Sequence, residues 1–226
     1  MIFSNREEAG KILGAKVKEK GYGKDSLVLG VPRGGVVVAK EVAKILKCEL
    51  DIIIPRKLRS PFNPELAFGA ISDDDSLVID ESLVSLLNIS QEFIEQEKKT
   101  QLEEIKRRRK KYNMDKLLPD MKGKTVILVD DGIATGATMK AGVISVKKKK
   151  PEKIIVAIPV ASPQSVEELK EITDEVICLY APSYFAAVGQ FYTEFSQTSD
   201  DEVMEILKKI SKRKWEKFIK NNKQKI

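Results

Sequence analysis

The chain contains no histidine at all. That absence removes the imidazole as general base, as activator of a serine or cysteine nucleophile and as zinc ligand. Cysteine is scarce too: Cys48 and Cys178 lie beside or within expected strands, where an unpaired thiol behaves as a small buried hydrophobe. Neither a disulfide frame nor a thiolate metal site is expected from them. Long apolar runs are missing, none approaching the ~18 residues of a membrane span, and the N-terminal MIFSNREEAGK has no signal-peptide apolar stretch. The expected location is the cytoplasm, with no membrane partner. Chemistry is left to carboxylates, amines, guanidinium groups, backbone amides or a borrowed metal.

Positive charge is in modest excess, 40 Lys and Arg against 34 Asp and Glu for a formal +6. Such a balance favours anionic partners without naming one. Much of it sits in KRRRKK (106–111), KKKK (147–150) and the tail KRKWEKFIKNNKQKI. KKKK ends an expected helix, where cations offset the helix dipole, and the other runs read as solvated helix faces. Nucleic acid is therefore the lesser expectation.

At 226 residues the chain suits one core with appendages, and we read 1–226 as a single domain. SNREEAGKILGAKVKEKG reads as an amphipathic helix opened by a capping box from Ser4 to Glu7 and ending near Gly21. SLVLGV, PRGG and VVVAKEVAKIL then read as strand, turn and helix. LDIII (50–54) is a buried strand, followed by a long irregular stretch, PRKLRSPFNPELAFGAISDDD, with three prolines. Residues 80–120 read as an inserted helical arm, with Ser90 capping QEFIEQEKKTQLEEIKRRRKKY. KTVILV, a small-residue turn and MKAGVISVKKKK repeat the strand-turn-helix order, as do KIIVAIPV and SPQSVEELKEI, with Ser162 as cap and Pro163 at the first helical position. EVICLY adds a strand, and a basic helix runs from 199 to 226 behind an SDDE capping box. Alternating elements of this length imply an α/β fold with a parallel sheet and helices on both faces. Ligands of such sheets gather beyond the carboxyl ends of the strands, the edge that PRGG, PRKLRSPFNPE and DDGIATGAT share.

The most informative stretch is VILVDDGIATGAT, 126–138. Gly132 and Gly136 permit close backbone approaches, and Thr135 and Thr138 add hydroxyls at the start of a helix. With Ile133, Ala134 and Ala137 they form an expected cradle for one phosphate, held by helix N-terminal amides. Neither a Walker loop nor a G-x-G-x-x-G dinucleotide turn is present, which disfavours a nucleoside triphosphate site. Carboxylates repel a phosphate unless they bind something else. Asp130 and Asp131 can accept from the vicinal hydroxyls of a sugar whose phosphate sits in the next turn, a description that matches a ribose 5-phosphate.

This segment resembles the phosphoribosyl-pyrophosphate signature of the type I phosphoribosyltransferases: four hydrophobic residues, two acids, then a small-residue phosphate loop. LGVPRGGVVVA, DIIIPRKLRSPFNPELAFGAI and YFAAVGQFYTEFSQTSDDEV extend the likeness to a branch of that family whose acceptor is unidentified, from Arg6 to about Leu207. The resemblance implies the type I fold with a helical insertion and a small C-terminal hood at 181–198. It implies transfer of a phosphoribosyl group from 5-phosphoribosyl 1-pyrophosphate to a nitrogenous base or amine, with pyrophosphate released and Mg2+ bound along with the donor. Asp130 and Asp131 would hold the ribose hydroxyls and offset the cation-like anomeric carbon. Arg56 and Lys57 would serve the leaving group, and Arg33, Gly34 and Gly35 match the family's pyrophosphate loop, with Arg59 beside them. The magnesium is expected to ride on the donor's oxygens, so no protein metal ligand is assigned. Residues 57–68 are expected to act as a lid that excludes water. The hood aromatics Tyr184, Phe185, Phe191 and Tyr192 are candidates for stacking on the acceptor. The acid that the hypoxanthine-guanine branch carries three residues after the pair is here Ala134, which argues against 6-oxopurines that use it. A homodimer is expected from the family. The alternative is a regulator that senses the donor and binds nucleic acid through its basic segments.

Overall fold

The computed structural model describes residues 1–63, 66–72, 77–112 and 119–209. Strands β1 (Ser26–Gly30), β2 (Glu49–Ile52), β6 (Thr125–Val129), β7 (Lys153–Val160) and β8 (Glu175–Tyr180) form a parallel sheet in the order β2-β1-β6-β7-β8. The apolar runs of β1, β6 and β7 are nearly continuous because both faces are covered, whereas β2 at the sheet edge alternates Glu49 and Asp51 with Leu50 and Ile52. In β6, Ile127 and Val129 face the cluster that holds α1 (Arg6–Glu19) and α2 (Gly34–Leu46). Val126 and Leu128 point the other way, to the cluster holding α5 (Ala137–Lys148) and α6 (Pro163–Lys170). This is the alternation that a strand imposes on its side chains.

The chain runs from β1 outward to β2, then returns across β1 to lay β6 on its other side. The carboxyl ends of β1 and β6 therefore border a crevice where the winding reverses, the usual ligand position in a sheet of this kind. PRGG leaves β1 there and DDGIATGAT leaves β6.

Two local expectations are corrected. Helix α1 is capped by Asn5, whose Oδ1 accepts from the Glu8 amide at 3.0 Å, while the Glu8 carboxylate accepts from the Ser4 amide. The cap thus lies one residue beyond the Ser4–Glu7 reading, and the Glu8 carboxylate reaches past Asn5 to the Ser4 amide. The stretch after Ile54 is also more regular than its prolines suggest. Strands β3 (Arg56–Arg59), β4 (Ala67–Ile71) and β5 (Leu77–Ile79) form a small antiparallel sheet, with Lys57 opposite Ala70 and Leu58 opposite Gly69. Leu58 and Phe68 are fully buried, which anchors both ends of the expected lid. Pro55 and Pro61 sit just outside β3 and so cost the ladder no donor; residues 64 and 65 lie outside the described residues, as do 73–76.

The expected arm is α3 (Glu81–Leu86), capped by Asp80, and α4 (Gln91–Lys111), capped by Ser90. Ile89, Ile94 and Ile105 join the main core beside Leu58, Phe68 and Ile71, so α4 is packed on the small sheet instead of standing away from it. The arm's residues 113–118 are outside the described set. After β8 the chain passes a short 3-10 turn (Val188–Phe191) and enters a helix over 200–209, where Ser199 Oγ accepts from the Glu202 amide at 3.1 Å. Val203 and Ile206 bury this helix against the main core, and the basic residues 210–226 lie outside the described residues. Among the described residues no helix is long and apolar enough to cross a membrane.

Candidate active site

Asp130 and Asp131 follow β6 directly and meet the start of α2. Gly34 and Gly35 are required there. A Cβ on Gly34 would overlap Oδ2 of Asp131, and one on Gly35 would stand 2.7 Å from Oδ1 of Asp130 and 2.9 Å from the Val129 carbonyl oxygen. The glycine turn after β1 is thus the surface on which the acid pair rests, and the Val31 amide ties the two strand ends together by donating to Val129 O at 2.9 Å.

The acids differ in their surroundings. Asp131 is ion-paired with Arg6, Nε to Oδ2 at 2.6 Å, both side chains being largely shielded from water. The Arg6 guanidinium also donates to Ser196 O at 2.7 Å and lies 3.9 Å over the Phe195 ring, a cation–π contact. Asp130 Oδ1 accepts from the Asp131 amide at 2.8 Å. Burial and the neighbouring Asp131 charge hold the Asp130 carboxyl well above the usual range, a shift only partly opposed by Arg6. A group so placed gains from partners that donate to it, and sugar hydroxyls are such partners. Tyr192 reaches the same corner from the hood and donates its hydroxyl to Asp131 O.

The loop after the acids is fixed from behind. The Ile133 amide donates to Val160 O at 2.9 Å, and Ala134 O accepts from Ser162 Oγ and Ser165 Oγ at 2.8 Å each. A side chain on Gly132 would overlap Val188. Gly136 caps α5 with φ of +73°, a left-handed conformation that glycine adopts without a Cβ penalty. The amides of residues 134–138 donate to no described residue. They form a ring of donors at a helix start, suited to one phosphate.

Next to the acids lies a cavity of about 500 Å3 lined by Arg6, Arg33, Arg56, Lys57, Arg59 and Arg108, with Gly34, Asp131, Thr138 and Phe195 among its other walls. Every cation assigned from the sequence is there: Arg33 caps α2, and Arg56, Lys57 and Arg59 project from β3. Arg56 is half-buried, and burial together with the nearby Arg108 pushes its guanidinium pKa down. The hood aromatics are placed differently. Phe191 and Tyr192 are buried in a small core with Phe3 and Ala9, Phe185 packs on Phe191 at 5.2 Å between centroids, and Tyr184 is exposed; none of the four lines the cavity. The aromatic that does is Phe195, stacked on Tyr192 at 4.9 Å.

Sequence reasoning missed Arg6, Arg108, Phe195, Gln197 and Thr198 in this wall. Arg6 looks like an ordinary first-turn residue of α1, and Arg108 is one of six consecutive basic residues. No local signal separates either from a solvated cation.

Residues 4–195 match the model of the phosphoribosyl transferase domain. Two provisionally named phosphoribosyl transferases of Mycobacterium tuberculosis are each 40% identical to the chain over 206 residues, which is 91% of this chain and 46% of theirs. The chain thus spans about half the length of the curated relatives it matches. The crystal structure of TT1426 from Thermus thermophilus superposes with a TM-score of 0.82 at 40% identity, covering 92% of this chain and 98% of that one.

Proposed function

The chain belongs to the phosphoribosyl transferase domain family, and from that premise we propose that it transfers a phosphoribosyl group from 5-phosphoribosyl 1-pyrophosphate to a nitrogenous base or amine. The observation that carries this reading is the seating of Asp130 and Asp131 on Gly34 and Gly35 where the sheet reverses, between a phosphate cradle and a cationic cavity. Each of the three regions matches one part of the donor: ribose hydroxyls on the acids, the 5-phosphate on residues 132–138, and pyrophosphate among Arg33, Gly34, Gly35, Arg56, Lys57 and Arg59.

In the reaction the anomeric carbon–oxygen bond breaks, pyrophosphate keeps the electron pair, and the acceptor nitrogen's lone pair forms the new bond. Positive charge grows on the ribose and negative charge on the leaving oxygens. Asp130 and Asp131 stabilise the first, and the arginines and Lys57 the second. Among the described residues no three His, Cys, Asp or Glu side chains converge to hold a metal. Magnesium, in this reading, would enter with the donor and would supply positive charge to offset the pyrophosphate, with no residue of the chain assigned to hold it.

The acceptor side is the hood over 181–198. There Phe195 borders the cavity, and Phe185, Phe191 and Tyr192 support it from the small core. We read 1–226 as one such domain, cytoplasmic and dimeric. The test is a screen of nitrogenous bases and amines read by pyrophosphate release with magnesium and donor present. Release that depends on one acceptor, and is lost in Asp130→Asn with Asp131→Asn, supports the proposal. Donor binding without release for any acceptor would turn the reading toward a sensor.

A further inference from the structure

We propose that helix α4 is part of the anion site: Arg108 contacts the leaving pyrophosphate, and the buried Gln101 positions Arg56 for the same task. This rests on the phosphoribosyl transfer reading above. Glu97, Gln101, Glu104 and Arg108 follow one another at spacings of four, three and four, so they share one face of α4. That face is turned to β3. Glu97 Oε1 accepts from the Arg59 amide at 3.1 Å and from Gln101 Nε2 at 2.9 Å. Gln101 Oε1 in turn accepts from Arg56 Nε at 2.9 Å, and Arg108 Nε donates to Glu104 Oε1 at 2.8 Å. The strand that carries three cavity cations is therefore held by the helix that carries a fourth.

Packing alone does not account for this face. Ile94 and Ile105 already bury α4 against the core. Gln101 is 4% exposed, and its amide spends one end on Glu97 and the other on Arg56. A neutral amide fixes the direction of Arg56 without cancelling its charge, as a carboxylate in its place would. Arg56 and Arg108 then share one cavity wall, where burial and the nearby Arg108 push the Arg56 guanidinium pKa down while Glu104 and Glu97 only partly oppose the shift. An anion with oxygens on two phosphorus atoms relieves that repulsion, and planar guanidiniums suit its geometry. Arg107 is the natural comparison: it pairs with the same Glu104 from the solvent side and does not line the cavity.

The test is calorimetry with magnesium pyrophosphate, the full donor and ribose 5-phosphate, on folded variants verified by thermal melting. Arg108→Ala should weaken pyrophosphate and donor roughly 10- to 100-fold, the range for a lost charge-assisted hydrogen bond, and leave ribose 5-phosphate unchanged. Arg108→Lys should recover part of the loss, and Arg107→Ala should match wild type. Gln101→Leu should weaken pyrophosphate in the wild-type background and have no further effect in Arg56→Ala, because it acts through that residue. Wild-type binding of the donor with equal binding by Arg108→Ala would overturn this inference alone. A wild type that binds neither donor nor pyrophosphate would overturn it together with the transferase reading.

Discussion

A Cβ on Gly35 would stand 2.7 Å from Oδ1 of Asp130 and 2.8 Å from its Cα, so the turn after β1 and the acids after β6 are built against each other. Gly34 meets mainly the movable ends of Asp131 and Arg6, whereas Gly35 meets backbone. Gly35→Ala should therefore cost about 1–3 kcal/mol of stability, as overpacking does. Gly34→Ala should displace Asp131 from Arg6, lose donor affinity and destabilise the protein by a similar amount. Unchanged stability or unchanged donor binding in either variant, read by denaturant unfolding and calorimetry, would contradict this packing.

Asp130 predicts a trade between stability and binding. Its folded-state pKa lies above the unfolded value because burial and Asp131 oppose ionisation. The associated stability is therefore full below the unfolded pKa and is lost as pH rises through the folded one. Asp130→Asn should raise the melting temperature of the ligand-free protein at pH 7 by about 2–4 °C, the equivalent of roughly 1 kcal/mol in a chain of this size. The gain should vanish toward pH 3, and donor binding should be lost. A variant that melts below wild type at pH 7 would contradict the assignment.

Arg6 joins α1 to Asp131, Ser196 and Phe195. Arg6→Ala should destabilise the protein by about 1–3 kcal/mol, because a shielded carboxylate loses its partner. Salt should rescue little of the loss, since both side chains are screened poorly by solvent ions. A loss erased by salt would indicate an ordinary surface pair.

Lys57 and Arg59 are assigned to the leaving group. Alanine at both should lower pyrophosphate release, with kcat falling more than donor affinity if they act on developing charge. Unchanged turnover in the double variant would remove that role.

The strands and the acid motif were legible because each carries a local signature: a continuous apolar run for β6, and a run of small residues behind paired acids. The first cap and the β3–β4 pair were less so, whereas the Ser90, Ser162 and Ser199 caps stand where the sequence puts them. Asn5 and Ser4 are both good N-caps, and the folded chain chooses Asn5, whose Oδ1 meets the Glu8 amide. In RKLR only Leu58 points to the core, so a strand so short and charged lacks the alternation that reveals longer ones. Arg6 and Arg108 enter the site from parts of the matched region 102 positions apart, and only the folded chain brings them to one wall. The hood aromatics show the converse: a cluster that reads as a stacking platform is spent largely on a small core.

The most direct measurement is calorimetric titration of 5-phosphoribosyl 1-pyrophosphate with magnesium into wild type and into Asp130→Asn with Asp131→Asn. One binding event is expected in wild type, and the double variant should lose it while remaining folded. Equal binding by both proteins, or none by a folded wild type, would contradict the acid pair as the ribose site and the transfer chemistry built on it.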